Sequence, residues 1–251
     1  MIPARLGATR LREKPLRLLG GRPLVVRVWE RVAALGGIDR CVVATDHPRI
    51  ADALRSAGAE CVLTREDHPS GTDRTAEVVG RPEYAGYDTI VNVQGDEPFV
   101  SAAIVDAAAD LVRSGRFPLG TVAVPAGPDA LADPNVVKVV AGDDGRALYF
   151  SRAAIPHLRD AAHVGDAADR LTLVRQHVGV YAYAPAALAR WVALPTHALE
   201  RVERLEQLRP LAAGLAMGVA VVDERAPVGV DTEDDLARAN ARWANTTLER
   251  P

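Results

Sequence analysis

Val91-Asn92-Val93-Gln94-Gly95-Asp96-Glu97-Pro98 reads as the end of a buried strand that stops in a glycine and two acids. Carboxylates at the carboxyl end of a parallel strand face the crevice in which open α/β sheets bind ligands. Outward from this stretch, strands are expected at Ile38–Thr45, Glu60–Thr64, Thr89–Val93 and Leu119–Val124. Helical periodicity falls between them, at Pro23–Leu35, Pro48–Ala57, Asp73–Gly80 and Ser101–Ser114. Strands alternating with helices imply βαβ crossovers and a parallel sheet covered on both faces. The expected fold class is therefore α/β, doubly wound and mostly parallel. Pro23 suits the first turn of its helix, and Ser101 suits an N-cap.

After about residue 130 the rhythm changes. Val136–Ala141, the turn Gly142-Asp143-Asp144-Gly145 and Arg146–Ser151 read as a β-hairpin, an antiparallel interruption of the α/β pattern. Residues 157–170 carry little periodicity and read as a mobile loop. A strand follows at Gln176–Tyr183, helical spacing at Leu199–Leu211, a strand at Met217–Val222 and a closing helix at Asp231–Trp243, opened by Thr232. With no repeat, linker or low-complexity segment, residues 1–251 read as one domain with an inserted hairpin excursion at about 136–183. The first strand is short. Only Met1 and Ile2 precede the loop-like segment Pro3–Lys14, where a central strand has about five residues. The reading thus expects further strand residues upstream.

The composition narrows the classes of function. The chain has 251 residues and is 48% hydrophobic, enough to bury one large core. No run approaches the roughly 18 apolar residues that span a bilayer, and the N-terminus has no apolar stretch after a basic one. The expectation is a cytoplasmic protein with no membrane partner. Cys41 and Cys61 sit in apolar, strand-like runs and read as buried free thiols. A formal charge of −3 argues against nucleic acid as a partner. Only two of the 30 basic residues are lysines, Lys14 and Lys138. A lysine kept in so arginine-rich a chain is one whose compact ammonium a planar guanidinium cannot replace, or a chance survivor.

Pro3–Leu16 joins the first strand to Gly20, Gly21 and a helix, and carries Arg5, Arg10 and Lys14. Cations and backbone amides in a glycine-containing loop make a plausible triphosphate cradle, although the segment is not a Walker A loop. Asp96, at its strand end, is a natural magnesium ligand, because magnesium takes one or two carboxylates and fills its shell with water and phosphate. Taken alone, Gly229–Leu236 is an acidic helix start favoured by the helix dipole. Ser70-Gly71-Thr72-Asp73-Arg74 and Ala44-Thr45-Asp46-His47 are, alone, turn chemistry.

In order and spacing these segments resemble the CMP-Kdo synthetases, a branch of the sugar-acid cytidylyltransferases. The matching stretches include Ile2-Pro3-Ala4-Arg5, Thr9-Arg10-Leu11, Lys14-Pro15-Leu16, Ala44–His47, Ser70-Gly71-Thr72 and Val91–Pro98. They continue through Val137–Val140, Ala147–Arg152, His177–Tyr183, Leu205–Arg209 and Gly229–Leu236, so nearly the whole chain is covered. The resemblance implies a nucleotidyltransferase-like Rossmannoid fold whose inserted hairpin dimerises, and a homodimer. It implies that Ala4, Arg5, Arg10 and Lys14 hold CTP, with Ser70, Gly71, Thr72, Arg74 and Gln94 around the cytidine. It implies that Asp96 and Asp231 bind Mg2+, and that Lys14 and Arg10 act with them in catalysis. Arg152, His177, Tyr181, Glu206 and Gln207 match the lining of the pocket for the 2-keto sugar acid, with Tyr183 beside them. The chain departs from the family pattern at Arg12-Glu13, where proline-glycine is usual, at Asp73, often glutamate, and at Gln176, where a base commonly precedes the histidine.

The reaction implied is in-line displacement at the α-phosphorus of CTP by the anomeric hydroxyl of 3-deoxy-manno-octulosonate. It demands charge neutralisation and orientation more than covalent chemistry. Another ulosonic acid as acceptor, or a catalytically silent nucleotide-binding protein, are the alternatives. A dinucleotide-dependent oxidoreductase is excluded, because no G-x-G-x-x-G turn follows a first strand.

Overall fold

A computed structural model describes residues 1–7, 10–157 and 174–248. The loop expected at 157–170 lies, from residue 158 on, outside the described residues. The chain forms two compact units. The first comprises Met1–Gly86, Asn92–Ala102 and Pro227–Pro251, and the second Tyr87–Val91 and Ala103–Ala226.

In the first unit, β1 (Ile2–Ala4), β4 (Val42–Thr45) and β5 (Glu60–Leu63) form a wholly parallel sheet in that order, with Ile2 opposite Val43 and Val42 opposite Glu60. Every residue of β4 is buried, as expected of a central strand covered on both faces. A short antiparallel pair, β2 (Leu18–Leu19) and β3 (Arg22–Pro23), leads into α1 (Leu24–Ala33). α1 buries Leu24, Val25, Val28 and Val32, one face at helical spacing. Each such burial contributes about 1.5–3 kcal/mol before the entropy cost. α2 (Pro48–Ser56) is capped by His47, whose Nδ1 accepts from Arg49 N at 3.2 Å. α3 (Gly71–Val79) is capped by Ser70, whose Oγ accepts from Asp73 N at 3.2 Å. Pro3 and Ala4 belong to the first strand, so the loop expected from Pro3 begins at Arg5. Pro23 precedes its helix rather than sitting in the first turn. Cys41 and Cys61 are free thiols but half-buried rather than buried, and burial pushes the Cys61 thiol up to about 11.

The second unit is mixed. Among the described residues, its sheet runs β11 (Met217–Val221), β7 (Leu119–Pro125), β10 (Arg175–Tyr183), β8 (Lys138–Ala141), β9 (Ala147–Ser151), with β6 (Ile90–Asn92) also paired to β10. β11 is parallel to β7, while β7–β10, β10–β8 and β8–β9 are antiparallel. α4 (Ala102–Arg113) buries Ile104, Val105, Ala108, Leu111 and Val112. The expected hairpin is β8–β9, and its first strand is paired into this sheet through Gln176 opposite Lys138. Gly145 takes the left-handed conformation (φ +80) that closes its turn, with Gly145 N donating to Gly142 O at 2.9 Å. Tyr181, Tyr183 and Trp191 pack as one aromatic cluster, each ring at most 4% exposed.

The helix expected over Leu199–Leu211 is two short helices, Ala198–Glu203 and Leu208–Ala212. Arg204 adopts a left-handed backbone (φ 53) and ends the first, which turns Leu205 and Leu208 into the core while Val202 stays 82% exposed. Arg209 ties the pieces, donating to Glu200 from Nε at 2.8 Å and Nη2 at 2.5 Å. No helix among the described residues is long and apolar enough to cross a membrane.

Candidate active site

The decisive geometry lies within the first unit and centres on Lys14. Pro15, the second residue of a 3-10 turn, Lys14–Leu16, fixes the backbone, and Lys14 N and Leu16 N donate to Leu11 O and Glu13 O. The Lys14 side chain, 19% exposed, donates through Nζ to Asp96 Oδ2 and to Asp231 Oδ1, the latter at 2.8 Å. Arg10 Nη2 donates to the other oxygen of Asp231 at 2.9 Å. Burial opposes the Lys14 ammonium, but the Asp96 and Asp231 carboxylates outweigh it and hold its pKa above the usual lysine value. The two aspartates are 135 positions apart in sequence, yet a backbone hydrogen bond from Val230 N to Asp96 O, at 3.0 Å, joins their segments. Asp231 precedes the closing helix, α5 (Glu233–Leu248), at whose start Thr232 Oγ1 accepts from Asp235 N and Asp235 Oδ2 accepts from Thr232 N. That reciprocal cap fixes the helix start, as Thr232 was expected to do.

Glu97 is the residue that the sequence reading did not single out. Burial, then the charges of Asp96 and Asp231, push its carboxyl up to about 8 against the opposing pull of Lys14. Its Oε2 is buried with no hydrogen-bond partner among the described residues, and a Cβ on Gly229 would come to 3.1 Å of its Oε1. The only signal in sequence is the Asp-Glu pair itself, which says nothing of which acid is enclosed.

The segments expected around the nucleotide also converge in this unit. A Cβ on Gly71 would meet Pro3 Cγ at 3.0 Å and Gln94 Oε1 at 4.0 Å, and one on Gly95 would meet Pro3 O at 2.8 Å and Ala4 Cβ at 3.6 Å. The first strand, the start of α3 and the Gln94–Asp96 turn therefore touch, and Gly95 is required by close approach to the Pro3 carbonyl. Thr72 is buried, and Ser70 is engaged in its own cap, also donating to Asp73 Oδ2 at 2.7 Å. Arg74 is 2% exposed. It donates to Asp46 Oδ2 at 2.8 Å, to Thr64 Oγ1 and to Arg65 O at 3.1 Å, so it braces the Asp46 turn against α3. Arg5 is exposed at the end of β1.

Glu13, the neighbour of Lys14 in sequence, pairs with Arg49 instead. Its backbone is left-handed (φ 53), which turns the carboxylate to Arg49 on α2, and that pair lowers its pKa.

The residues expected to line the sugar-acid pocket lie in the second unit. His177 Nε2 is 2.9 Å from Thr121 Oγ1, and the ring meets Phe150 edge-on at 5.0 Å and Tyr181 at 5.4 Å. Burial pulls its pKa down to about 3, so the imidazole is neutral at neutral pH. Burial and then the charge of Glu206 raise the Tyr181 phenol. Gln207 is 2% exposed, with a buried Nε2 that has no hydrogen-bond partner among the described residues. Tyr183 stacks on Tyr181 and is fully buried. Arg152 is held by its own main chain and side chain, donating from N to Glu203 Oε2 at 2.9 Å, from Nε to Glu203 O at 2.9 Å and from Nη1 to Pro134 O at 3.0 Å.

Lys138, the second lysine, is fully buried beneath Arg152. Its ammonium donates to three carbonyls, Asp133 O at 2.9 Å, Val136 O at 2.7 Å and Arg152 O at 2.6 Å. Three donors on one small head suit this arrangement, and a planar guanidinium does not.

Comparison with known proteins identifies the family. The cytidylyltransferase family profile matches residues 1–219. The chain is 61% identical to a 3-deoxy-manno-octulosonate cytidylyltransferase of Gemmatimonas aurantiaca, over 97% of this chain and 93% of that one. It is 45% identical to the protein of the same name from Yersinia pseudotuberculosis, over 98% of each chain. A solved CMP:2-keto-3-deoxy-manno-octonic acid synthetase, complexed with CTP, superposes with a TM-score of 0.88 at 36% identity, covering 98% of this chain and 97% of that one. The chain belongs to the cytidylyltransferase family, among the 3-deoxy-manno-octulosonate cytidylyltransferases.

Proposed function

We propose that this chain transfers CMP from CTP to the anomeric hydroxyl of 3-deoxy-manno-octulosonate, releasing pyrophosphate. The observation that carries the reading is the meeting of Lys14 and Arg10 with Asp96 and Asp231, in a chain this similar to proteins of that name. The anomeric oxygen forms a bond to the α-phosphorus, the bond from that phosphorus to the bridging oxygen of the β-phosphate breaks, and the hydroxyl proton passes to solvent. Arg5, Arg10 and Lys14 bind the triphosphate and neutralise charge that builds on the leaving pyrophosphate. The Ser70–Thr72 start of α3, with Gln94 and Ala4, borders the cytidine, and Arg74 holds that border rigid through Asp46. Arg152, His177, Tyr181, Glu206 and Gln207 receive the sugar acid. Neutral His177 offers a hydrogen bond rather than a charge there.

The donor set fits a divalent cation, and we take it to be magnesium. Two carboxylates, Asp96 and Asp231, converge on one point. Magnesium takes one or two carboxylates and fills the rest of its shell with water and phosphate. Asp96 and Asp231 would hold the ion, which supplies Lewis-acid stabilisation of the phosphate charge and lowers the pKa of the attacking hydroxyl.

We further propose that the protein works in the cytoplasm as a homodimer, with the 136–183 region contributing to the subunit contact. A monomeric mass by light scattering at micromolar concentration would refute the dimer. The reaction is tested by pyrophosphate release with CTP and a panel of 2-keto sugar acids, with and without chelator. Turnover of 3-deoxy-manno-octulosonate above its nine-carbon and amino-substituted analogues is expected. Equal use of UTP would count against the assignment, since a site built to pair with the 4-amine leaves acceptors unmatched when a carbonyl enters.

A further inference from the structure

The Lys14 ammonium stands between the two carboxylates to which the proposed function gives a metal, and it uses one oxygen of each. A cation already lodged between the two carboxylates opposes a divalent ion there, by its charge and by the space it takes. The local charge points the same way. Asp96 and Asp231 carry two negative charges, and Lys14 and Arg10 already supply two positive ones. A divalent ion added to this arrangement enters a neutral cluster and meets a cation in its place.

A triphosphate changes that balance, because it offers Lys14 and Arg10 a stronger anion than a single carboxylate. The Lys14 stem is flexible, and its backbone does not have to move: Pro15 and the bonds to Leu11 O and Glu13 O hold the turn. Nor does Glu13 restrain it, since that carboxylate is taken by Arg49.

We infer that Lys14 is a placeholder cation that makes metal binding conditional on the nucleotide. In the free protein it closes the two-aspartate site, and when CTP arrives it transfers to the triphosphate and releases Asp96 and Asp231. The inference rests on the assignment of those aspartates as metal ligands. By linkage, whatever CTP gains from a bound metal the metal gains from CTP.

The test uses the full chain without CTP or sugar acid, and Mn2+ as the probe, followed by calorimetry and by the electron paramagnetic signal of the free ion. Wild type is expected to bind Mn2+ weakly. Lys14→Met should tighten that binding at least tenfold, and adding Asp96→Asn to Lys14→Met should abolish the gain. Lys14→Gln, which keeps a donor and loses the charge, guards against misfolding of the methionine variant and should also tighten it. Mn2+ affinity that depends on Asp96 but is equal in wild type and both Lys14 variants would overturn the inference while leaving the metal assignment in place. Absence of Asp96-dependent binding in every variant would overturn it too. Chelator sensitivity of wild-type turnover, measured separately, then decides whether the metal reading falls with it.

Discussion

Glu13 and Arg49 are joined at two points, Arg49 Nη1 and Nη2 donating to Glu13 Oε1 and Oε2 at 2.5 and 3.1 Å. The pair fastens the tip of the proposed phosphate loop to α2, at a residue whose left-handed backbone (φ 53) ordinarily calls for glycine. The loop is thus ordered by an ion pair where a proline-glycine turn would order it by backbone preference. Glu13→Ala loses the pair and keeps the unfavourable backbone, whereas Glu13→Gly loses the pair and relieves it. Thermal denaturation should rank glycine above alanine. The apparent CTP KM of the alanine variant should rise severalfold at low salt, and the gap to wild type should close near 1 M salt, because both partners are exposed. An alanine variant at least as stable as the glycine variant would show that the backbone conformation at this position costs nothing.

Asp96 and Asp231 should be the costliest positions to neutralise. Asp96→Asn and Asp231→Asn keep shape and lose charge. Each is expected to lower turnover by on the order of 10³-fold, about 4 kcal/mol of transition-state stabilisation. The double variant should fall little further, since both residues serve one site. Steady-state pyrophosphate release decides it, and full wild-type activity in excess chelator would end the metal assignment.

Much of this was legible in the chain itself. Lys14 stands out because arginine has taken nearly every other basic position, and Asp96 because it follows a glycine just past a buried strand. Asp231 is legible only through the family resemblance, since three further acids in the next four residues explain it equally well as a helix start. Enclosure of Glu97 was not legible. It follows from the approach of Gly229, a contact between segments more than a hundred positions apart. The break at Arg204 was hidden for a similar reason. Helical spacing persists across Leu199–Leu211, while the demand that Leu205 and Leu208 reach the core is set by the sheet beneath them. The burial of Arg74 and its pairing with Asp46 were not legible either, because a strand earlier in the chain brings Asp46 to it.

Acid stability should depend on Glu77. Burial would raise its pKa, but Arg65 N, the His68 ring and the Arg81 guanidinium reverse that and pull it down to about 2. The folded value lies below the unfolded one, so the unfolded chain takes up the proton first. The stabilisation is present above about pH 4.5 and is lost as pH falls toward 2. Glu77→Gln should cost on the order of 2 kcal/mol at pH 7 and almost nothing near pH 2, so its melting temperature converges on wild type as acid is added. Parallel curves for the two proteins from pH 7 to pH 2 would refute the linkage.

Lys138 gives the sharpest test of the second unit. Its ammonium, fully buried, satisfies the carbonyls of Asp133, Val136 and Arg152, while Arg152 itself reaches back to Pro134 O. The 133–136 segment is therefore gripped by both cations, and the position of Arg152 depends on Lys138. Lys138→Met fills the space but strands three acceptors, each worth about 1–3 kcal/mol if left unsatisfied. With some relaxation and water entry, a net loss of about 3 kcal/mol is expected, roughly 6–12 °C in melting temperature for a chain of this size. Lys138→Arg should fare no better, because five donors in a plane cannot converge on three carbonyls around one point. If Arg152 receives the sugar acid, folded enzyme of either variant should show a raised KM for the sugar acid and an unchanged KM for CTP. A stable Lys138→Arg protein with wild-type KM values for both substrates would show that lysine survives here by chance, and that Arg152 keeps its place without it.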